Sequence, residues 1–248
     1  MIDVAFTRAE VRPAAIAVVI DVLRASSSII QALASGYQQV LCADSIERAR
    51  ELRAPGRVLA GEHELVAPDD FELGNSPGGF EHPLGDEVVL ATTNGAPTLV
   101  DATCVADQVL VGALLNLDAV IAALGDEEDV QLVCAGTKGR VGLEDVYAAG
   151  RIALRLPGPR TDAARTAECV AAYYSRAIEA LSDSEDARAL AEVGLQNDVE
   201  ACAQESVIDA VPEAAIGAPG VALVTADTQS EVYTKAMKSR LQPVTTEE

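Results

Sequence analysis

Short apolar runs alternate with stretches of helical periodicity along most of the chain. Residues 15–22 (AIAVVIDV) form a continuous run rich in β-branched side chains, which is typical of a strand buried on both faces of a parallel sheet. A helix is predicted to follow, because Ser26, Ser27 and Ser28 offer N-cap hydroxyls and Gly36 stands where a helix-ending glycine belongs. These residues together predict one βα unit.

The same alternation recurs further along the chain. Strands are predicted at residues 39–43, 58–61, 87–91, 108–111, 130–134 and 221–224, and helices at residues 45–52, 143–154 and 162–181. The pattern predicts an α/β fold, a three-layer α/β/α sandwich with a mostly parallel sheet. We expect residues 1–228 to form a single domain, built as one body or as two α/β lobes, and residues 229–248 to form a polar C-terminal tail.

The charge balance narrows the classes of partner. The 248 residues carry a formal net charge of −21 and give a pI near 4.3. This charge disfavours nucleic acid and anionic membranes as partners, because both are bound through lysine and arginine. The sequence shows no signal peptide and no apolar run of about eighteen residues, so we expect a cytoplasmic protein. A homodimer is compatible with the sequence.

Cysteine and histidine are too sparse to build several common sites. The five cysteines are widely spaced, without a C-x-x-C pair, and His63 and His82 are the only histidines. Disulfides, structural zinc and a Ser-His-Asp triad are therefore not indicated. Any metal site must be built from oxygen ligands.

Polar residues directly follow the predicted first strand. Asp21 ends the apolar run, and Arg24, Ser26 and Ser27 follow at a helix N-terminus, where free N–H groups and the helix dipole favour an anion. This arrangement resembles a phosphate cradle. An ordinary helix cap with an Asp21–Arg24 salt bridge is the alternative interpretation.

Two further strand ends carry candidate chemistry. Thr92, Thr93, Asn94 and Gly95 follow the strand at residues 87–91 and offer hydroxyls, an amide and a flexible glycine to an oxyanion, although Asn-Gly is also a common turn signal.

The run from Cys134 to Arg140 has the C-x5-R spacing of the thiolate phosphatases, which work without a metal. Glu144 and Asp145 follow at once, and adjacent carboxylates would repel a phosphate unless a cation intervenes. They favour magnesium, with favourable charge in a first helical turn as the alternative.

Several separated motifs resemble, in order, those of the 2-phosphosulfolactate phosphatase family. They are VVIDVLRASSSI at residues 18–29, GE at 61–62, FELGNSP at 71–77, TTNGA at 92–96, CAGTKGRVGLEDVYAAG at 134–150 and GLQNDVEACAQ at 194–204. The resemblance implies a magnesium-dependent phosphatase that converts 2-phospho-3-sulfolactate to sulfolactate, a step toward coenzyme M in methanogens. The segment GEHELVAPDDF at residues 61–71 departs from the glycine-rich, basic stretch often found there, so sulfonate recognition is expected to differ.

A site can be assembled from these residues for a small anionic phosphorylated substrate. Mg²⁺ is expected on Asp21, Glu144 and Asp145, with Glu62 as a further candidate. Phosphate contacts are expected from the strand-end and helix-start residues: Arg24, Ser26, Ser27, Asn75, Thr92, Thr93, Asn94 and Gly95. Arg140 would clamp the second anion of the substrate. A metal-independent phosphatase using Cys134 and Arg140, and a non-catalytic phosphate-binding protein, are the competing hypotheses.

Overall fold

The computed structural model describes residues 1–226, so the predicted tail at residues 229–248 lies outside the described part of the chain. Within residues 1–226 the strands are β1 (Ile2–Ala5), β2 (Ile16–Ile20), β3 (Gln39–Ala43), β4 (Arg57–Gly61), β5 (Glu87–Ala91), β6 (Gln108–Gly112), β7 (Val130–Cys134), β8 (Glu213–Ile216) and β9 (Val221–Thr225). The α-helices there are α1 (Ala25–Ala34), α2 (Ile46–Glu51), α3 (Gly95–Val105), α4 (Leu117–Leu124), α5 (Leu143–Ala153), α6 (Asp162–Tyr173), α7 (Ala177–Ser182), α8 (Glu185–Glu192) and α9 (Gln196–Cys202).

The described strands form one sheet in the order β1-β7-β2-β6-β8-β9-β3-β5-β4. On one side of the β8–β9 pair, the strands β1, β7, β2 and β6 pair in parallel, and on the other side β3, β5 and β4 do the same. The pairs β6–β8, β8–β9 and β9–β3 are antiparallel. Apolar helices cover both faces of the sheet. The predicted α/β class with a mostly parallel sheet is therefore confirmed.

The central helices α1 and α3 pack against both halves of the sheet. Val19 of β2 and Leu90 of β5 belong to the same apolar cluster as Ile29 of α1 and Leu99 of α3, although several strands separate β2 from β5 in the sheet order. These two helices thus pack against strands on both sides of β8 and β9. Asp21, directly after β2, and Gly95, which begins α3 after β5, lie in close approach although β2 and β5 are not neighbours in the sheet.

The single helix predicted over residues 162–181 is wrong, because the chain breaks into α6 and α7. Tyr174 and Arg176 have extended backbone dihedrals between the two helices. The ring of Tyr174 packs edge-on against the buried Tyr147 at 6.1 Å, and its hydroxyl donates to Asp183 at 3.1 Å. Tertiary packing thus overrides a continuous helical pattern. Among residues 1–226, no helix has the length and apolarity needed to cross a membrane.

Candidate active site

Asp21 lies directly after β2, and its side chain is buried. Its Oδ1 accepts a hydrogen bond of 2.9 Å from the Ala25 N–H, and its own N–H donates to Ser26 Oγ at 2.9 Å. Its Oδ2 faces the start of α3, where a Cβ added to Gly95 would stand only 2.4 Å away. Asp21 therefore caps α1 with one oxygen, and the glycine at position 95 lets α3 approach the other.

Glu144 and Asp186 form a carboxyl pair across the site. Glu144, in the first turn of α5, is 2% exposed, and its Oε2 is buried with no hydrogen-bond partner in the described part of the chain. Asp186, in the first turn of α8, accepts from Thr137 Oγ1 at 2.5 Å and lies close enough to Glu144 for its charge to raise the pKa of that carboxyl. Two full negative charges are therefore unfavourable at this point of the site.

The buried acids repel one another when they are ionised. Burial, reinforced by the carboxylates of Asp186 and Glu62, raises the pKa of Asp21 to about 7. Burial and the nearby Asp186 raise the pKa of Glu144 to about 8. Burial and the charges of Glu144 and Asp21 also raise the pKa of Asp145. The site therefore holds protons at neutral pH that a cation could replace.

Two of the predicted metal ligands have both carboxylate oxygens engaged by the backbone. Asp145 accepts from the N–H groups of Val22 at 2.8 Å and Gly136 at 3.0 Å. Glu62 accepts from the N–H groups of Leu65 at 2.8 Å and Thr93 at 2.7 Å. These two acids tie neighbouring strand ends together. By contrast, no backbone N–H of residues 1–226 donates to Oδ2 of Asp21 or Oε2 of Glu144.

Arg24 is buried and forms its ion pair with Asp198, so the Asp21–Arg24 salt bridge of the alternative interpretation is wrong. Nη1 donates to Asp198 Oδ2 at 2.7 Å and to Ser76 Oγ at 3.1 Å, while Nη2 donates to the Leu65 carbonyl at 3.2 Å. Arg24 still lies close enough to Asp21 to lower the pKa of that carboxyl against the effect of burial. Three residues from other parts of the chain thus hold the guanidinium at the wall of the site.

Seven of the predicted site residues surround one cleft of about 350 Å³: Asp21, Arg24, Glu62, Asn75, Thr93, Asn94 and Arg140. Glu144 lines an adjoining cleft of about 220 Å³, which shares Arg140 and Asp186 with the first. Asn75 Oδ1 is buried and has no hydrogen-bond partner among residues 1–226. An unpartnered amide oxygen at the wall of a cleft marks a contact point for a ligand.

Two ion pairs stand at the rim of the cleft. Lys138 Nζ lies 3.7 Å from Glu64 Oε1, and Arg140 Nη2 lies 2.9 Å from Glu185 Oε2, with all four side chains largely exposed. The Lys138 N–H also donates to Asn94 Oδ1 at 3.0 Å, which joins the loop after β7 to the loop after β5. The rim therefore carries cations that an anionic ligand could take from their present partners.

Several predicted contact residues do not line the cleft. The hydroxyls of Ser26 and Ser27 donate to backbone carbonyls of Val19 at 3.3 Å and Val22 at 2.8 Å. Thr92 Oγ1 accepts from the Ala96 N–H at 2.9 Å. These three side chains support the loops beneath the cleft.

Cys134 is fully buried at the end of β7, and burial, together with the charges of Asp145 and Glu144, raises its pKa well above the ordinary thiol value. The nucleophile of thiolate phosphatases is an ionised, accessible sulfur. Cys134 has neither property here, and the exposed side chain of Arg140 pairs with Glu185. The environment of Cys134 is that of a core residue.

Sequence reasoning missed Asp186 and Asp198, which both contact predicted site residues. Each lies in a short helix that was not predicted, α8 or α9. Ser184, whose Oγ accepts from the Ala187 N–H, caps the helix that carries Asp186. A serine at this position is a helix-start signal from which α8 could have been predicted. Asp198 lies inside the GLQNDVEACAQ motif, but nothing in that motif indicated its partner.

The donor set fits a hard divalent cation, although the described residues contain no group of three or more side chains already arranged as a metal site. Asp21, Glu144 and Asp186 supply carboxylate oxygens, which Mg²⁺ prefers. Among residues 1–226, Oε2 of Glu144 has no hydrogen-bond partner, and the charge of Asp186 helps to raise the pKa of the Glu144 carboxyl. A cation would draw these carboxylates together.

Comparisons with known proteins converge on one family. The family model described as 2-phosphosulpholactate phosphatase matches residues 5–216. A probable 2-phosphosulfolactate phosphatase of Thermotoga maritima is 38% identical over 218 residues, which cover 86% of this chain and 94% of the relative. Proteins with the same description from Thermus thermophilus and Deinococcus radiodurans are 38% and 39% identical, each over 79% of this chain and 86% of its own length.

Proposed function

The chain belongs to the 2-phosphosulfolactate phosphatase family, and from this we propose that it is a magnesium-dependent phosphomonoester hydrolase. Its substrate is 2-phosphosulfolactate or a related small phospho-hydroxy acid, and its products are sulfolactate, or the corresponding hydroxy acid, and phosphate. The observation that carries the proposal is the carboxyl cluster of the buried Asp21 and Glu144 and the half-buried Asp186 beside the guanidinium of Arg24. Such a cluster opposes an anionic substrate unless a cation joins it.

The phosphate would lie at the inner end of the cleft. In the described part of the chain, two N–H groups of Arg24 have no acceptor and could donate to its oxygens, and Asn75 lines the same wall. The start of α3 lies beside Asp21 because Gly95 has no side chain, so the helix dipole favours negative charge there. When bound by Asp21 and Glu144, Mg²⁺ would supply positive charge that polarises the phosphoryl group.

The second anion of the substrate would lie at the rim. Arg140 and Lys138 are held there by exposed ion pairs, which contribute little free energy because both partners are solvated. A carboxylate or sulfonate can therefore displace Glu185 or Glu64 at low cost. Glu64 belongs to the segment that departs from the family pattern, so this rim is where substrate preference would differ among relatives.

The environment of Cys134 argues against the competing cysteine mechanism, because a phosphocysteine requires a thiolate that can reach phosphorus. A non-catalytic phosphate-binding protein needs no cluster of repelling acids, since such a cluster weakens phosphate binding. Hydrolysis assisted by a cation accounts for both the acids and the cations of the cleft.

A phosphate-release assay over a panel of phospho-hydroxy acids, with Mg²⁺ or with excess EDTA, tests the proposal. We expect hydrolysis with Mg²⁺, loss of hydrolysis in EDTA and recovery when Mg²⁺ is restored. Full activity in EDTA would contradict the role of the metal. Phosphate binding without release from any member of the panel would favour the binding protein instead.

A further inference from the structure

Asp198, in α9, contacts Arg24, which lines the cleft. Its Oδ2 accepts from Arg24 Nη1 and from Ser76 Oγ, both at 2.7 Å, and Ser76 Oγ in turn accepts from Nη1 at 3.1 Å. The three side chains thus close a hydrogen-bonded triangle. The residue Asp198 itself does not line the cleft.

These contacts orient the guanidinium of Arg24. Nη1 uses both of its N–H groups on Asp198 and Ser76, and Nη2 uses one on the Leu65 carbonyl. An arginine has five N–H donors, so within residues 1–226 the Nε–H and one Nη2–H have no hydrogen-bond acceptor and could donate to a ligand. Donors on these neighbouring atoms suit two oxygens of one phosphate. The Arg24 side chain is only 2% exposed, so it has little freedom to turn.

We propose that Asp198 is a positioning residue that holds Arg24 with its Nε and Nη2 donors directed at the phosphate of the substrate, a role that rests on the proposed phosphatase function. Ser76 completes this support. The same contacts tie α9 to Ser76, and leaving Arg24 buried without a charged partner would be costly. The ligand that this arrangement recognises is a phosphate dianion.

Asp198→Asn tests the proposal, because the amide keeps the size of the side chain and removes its charge. A positioning role predicts that the affinity for inorganic phosphate, measured by calorimetry with Mg²⁺ present, falls roughly ten- to hundredfold. If Asp198 merely competes with phosphate for Arg24, the same variant will bind phosphate more tightly, and the proposal is overturned. Ser76→Ala should weaken phosphate binding in the same direction and keeps the test valid if Asp198→Asn does not fold.

A double-mutant cycle separates this role from simple support of the fold. In an Arg24→Met background, Asp198→Asn should have no further effect on phosphate affinity or on kcat/KM, because its partner is gone. Equal effects of Asp198→Asn with and without Arg24 would refute the proposal. Glu168→Gln is the matched control: it neutralises a partly buried carboxylate paired with Arg160 at 2.7 Å, away from the cleft, and should leave phosphate affinity unchanged.

The outcomes also distinguish this inference from the proposed function. Phosphate binding that depends on Arg24 and Asp198, without hydrolysis of any substrate, would leave the inference standing and remove the phosphatase. Hydrolysis by the unmodified chain with phosphate affinity unaffected by Asp198→Asn would do the reverse.

Discussion

Replacing Asp21 by asparagine should stabilise the metal-free protein at pH 8 while abolishing turnover. The side chain is buried among other carboxylates, and its pKa is raised from 3.8 to about 7. Asparagine has the same shape and can still accept the Ala25 N–H hydrogen bond on Oδ1. The substitution removes only the negative charge, which the neighbouring carboxylates disfavour and which a bound cation needs.

The sign and size follow from proton linkage. Between pH 4 and 7 the folded protein holds a proton on Asp21 that the unfolded chain has released, so the free energy of unfolding falls as the pH rises through this window. Each pKa unit corresponds to about 1.4 kcal/mol, so the loss approaches about 4 kcal/mol above pH 7. For a chain of this length this is a change in Tm on the order of 10 °C.

Thermal melting from pH 5 to pH 8 in EDTA, with wild type and Asp21→Asn side by side, measures the effect. We expect the wild-type Tm to fall with pH more steeply than that of the variant, so that the variant melts higher at pH 8. Steady-state turnover with Mg²⁺ at pH 8 should be lost in the same variant. Loss of turnover with a raised Tm separates a functional acid from a structural one.

Asp3→Asn provides a control with the opposite sign. Although Asp3 is partly buried, hydrogen bonds from Arg12, Thr161 and Gln131 lower its pKa, so its charge stabilises the fold above the unfolded pKa. Its replacement should lower the Tm at pH 8 and leave turnover intact. If Asp21→Asn also lowers the Tm at pH 8 and keeps near-normal kcat, the role assigned to Asp21 is wrong.

Three further substitutions test other parts of the site. Gly95→Ala should lower kcat on the order of 100-fold, because the new Cβ would stand 2.4 Å from Asp21 Oδ2 and displace it. The control is Gly78→Ala, which should keep normal kinetics because a Cβ at that position meets nothing within 4 Å. Cys134→Ala should keep most of its turnover, and a phosphocysteine trapped in the wild type would contradict this. Arg140→Gln should raise KM a few fold with little change in kcat, and the reverse split would place Arg140 at the phosphate.

The edge of the sheet that carries the site could be predicted from the sequence, because polar residues after buried parallel strands gather at one edge. Asp21, Glu62 and Thr93 were found in this way and line one cleft. The distance between strands could not be predicted. Asp21 and Gly95 lie in close approach although β2 and β5 are not neighbours in the sheet, and periodicity within single strands carries no signal for such an approach.

The different environments of the acidic residues could not be predicted from the sequence either. Glu144 and Asp145 are adjacent in the sequence, but within residues 1–226 Glu144 has one oxygen without a partner, whereas both oxygens of Asp145 accept from N–H groups. Which of two adjacent residues faces the cleft depends on how the helix packs in the complete fold. Asp198 was missed for the same reason, because its partner Arg24 lies far away along the chain.

The destabilisation of the fold by this carboxyl cluster and the proposed binding of a cation there have one physical origin. Desolvation and mutual repulsion make ionised Asp21 and Glu144 unfavourable in the metal-free fold. The same terms increase the affinity for a cation, because binding relieves the repulsion and is therefore linked to proton release. Metal affinity should rise and metal-free stability should fall over the same pH range. A site made only of solvated acids would destabilise the fold less, but it would bind a cation beside the phosphate less strongly.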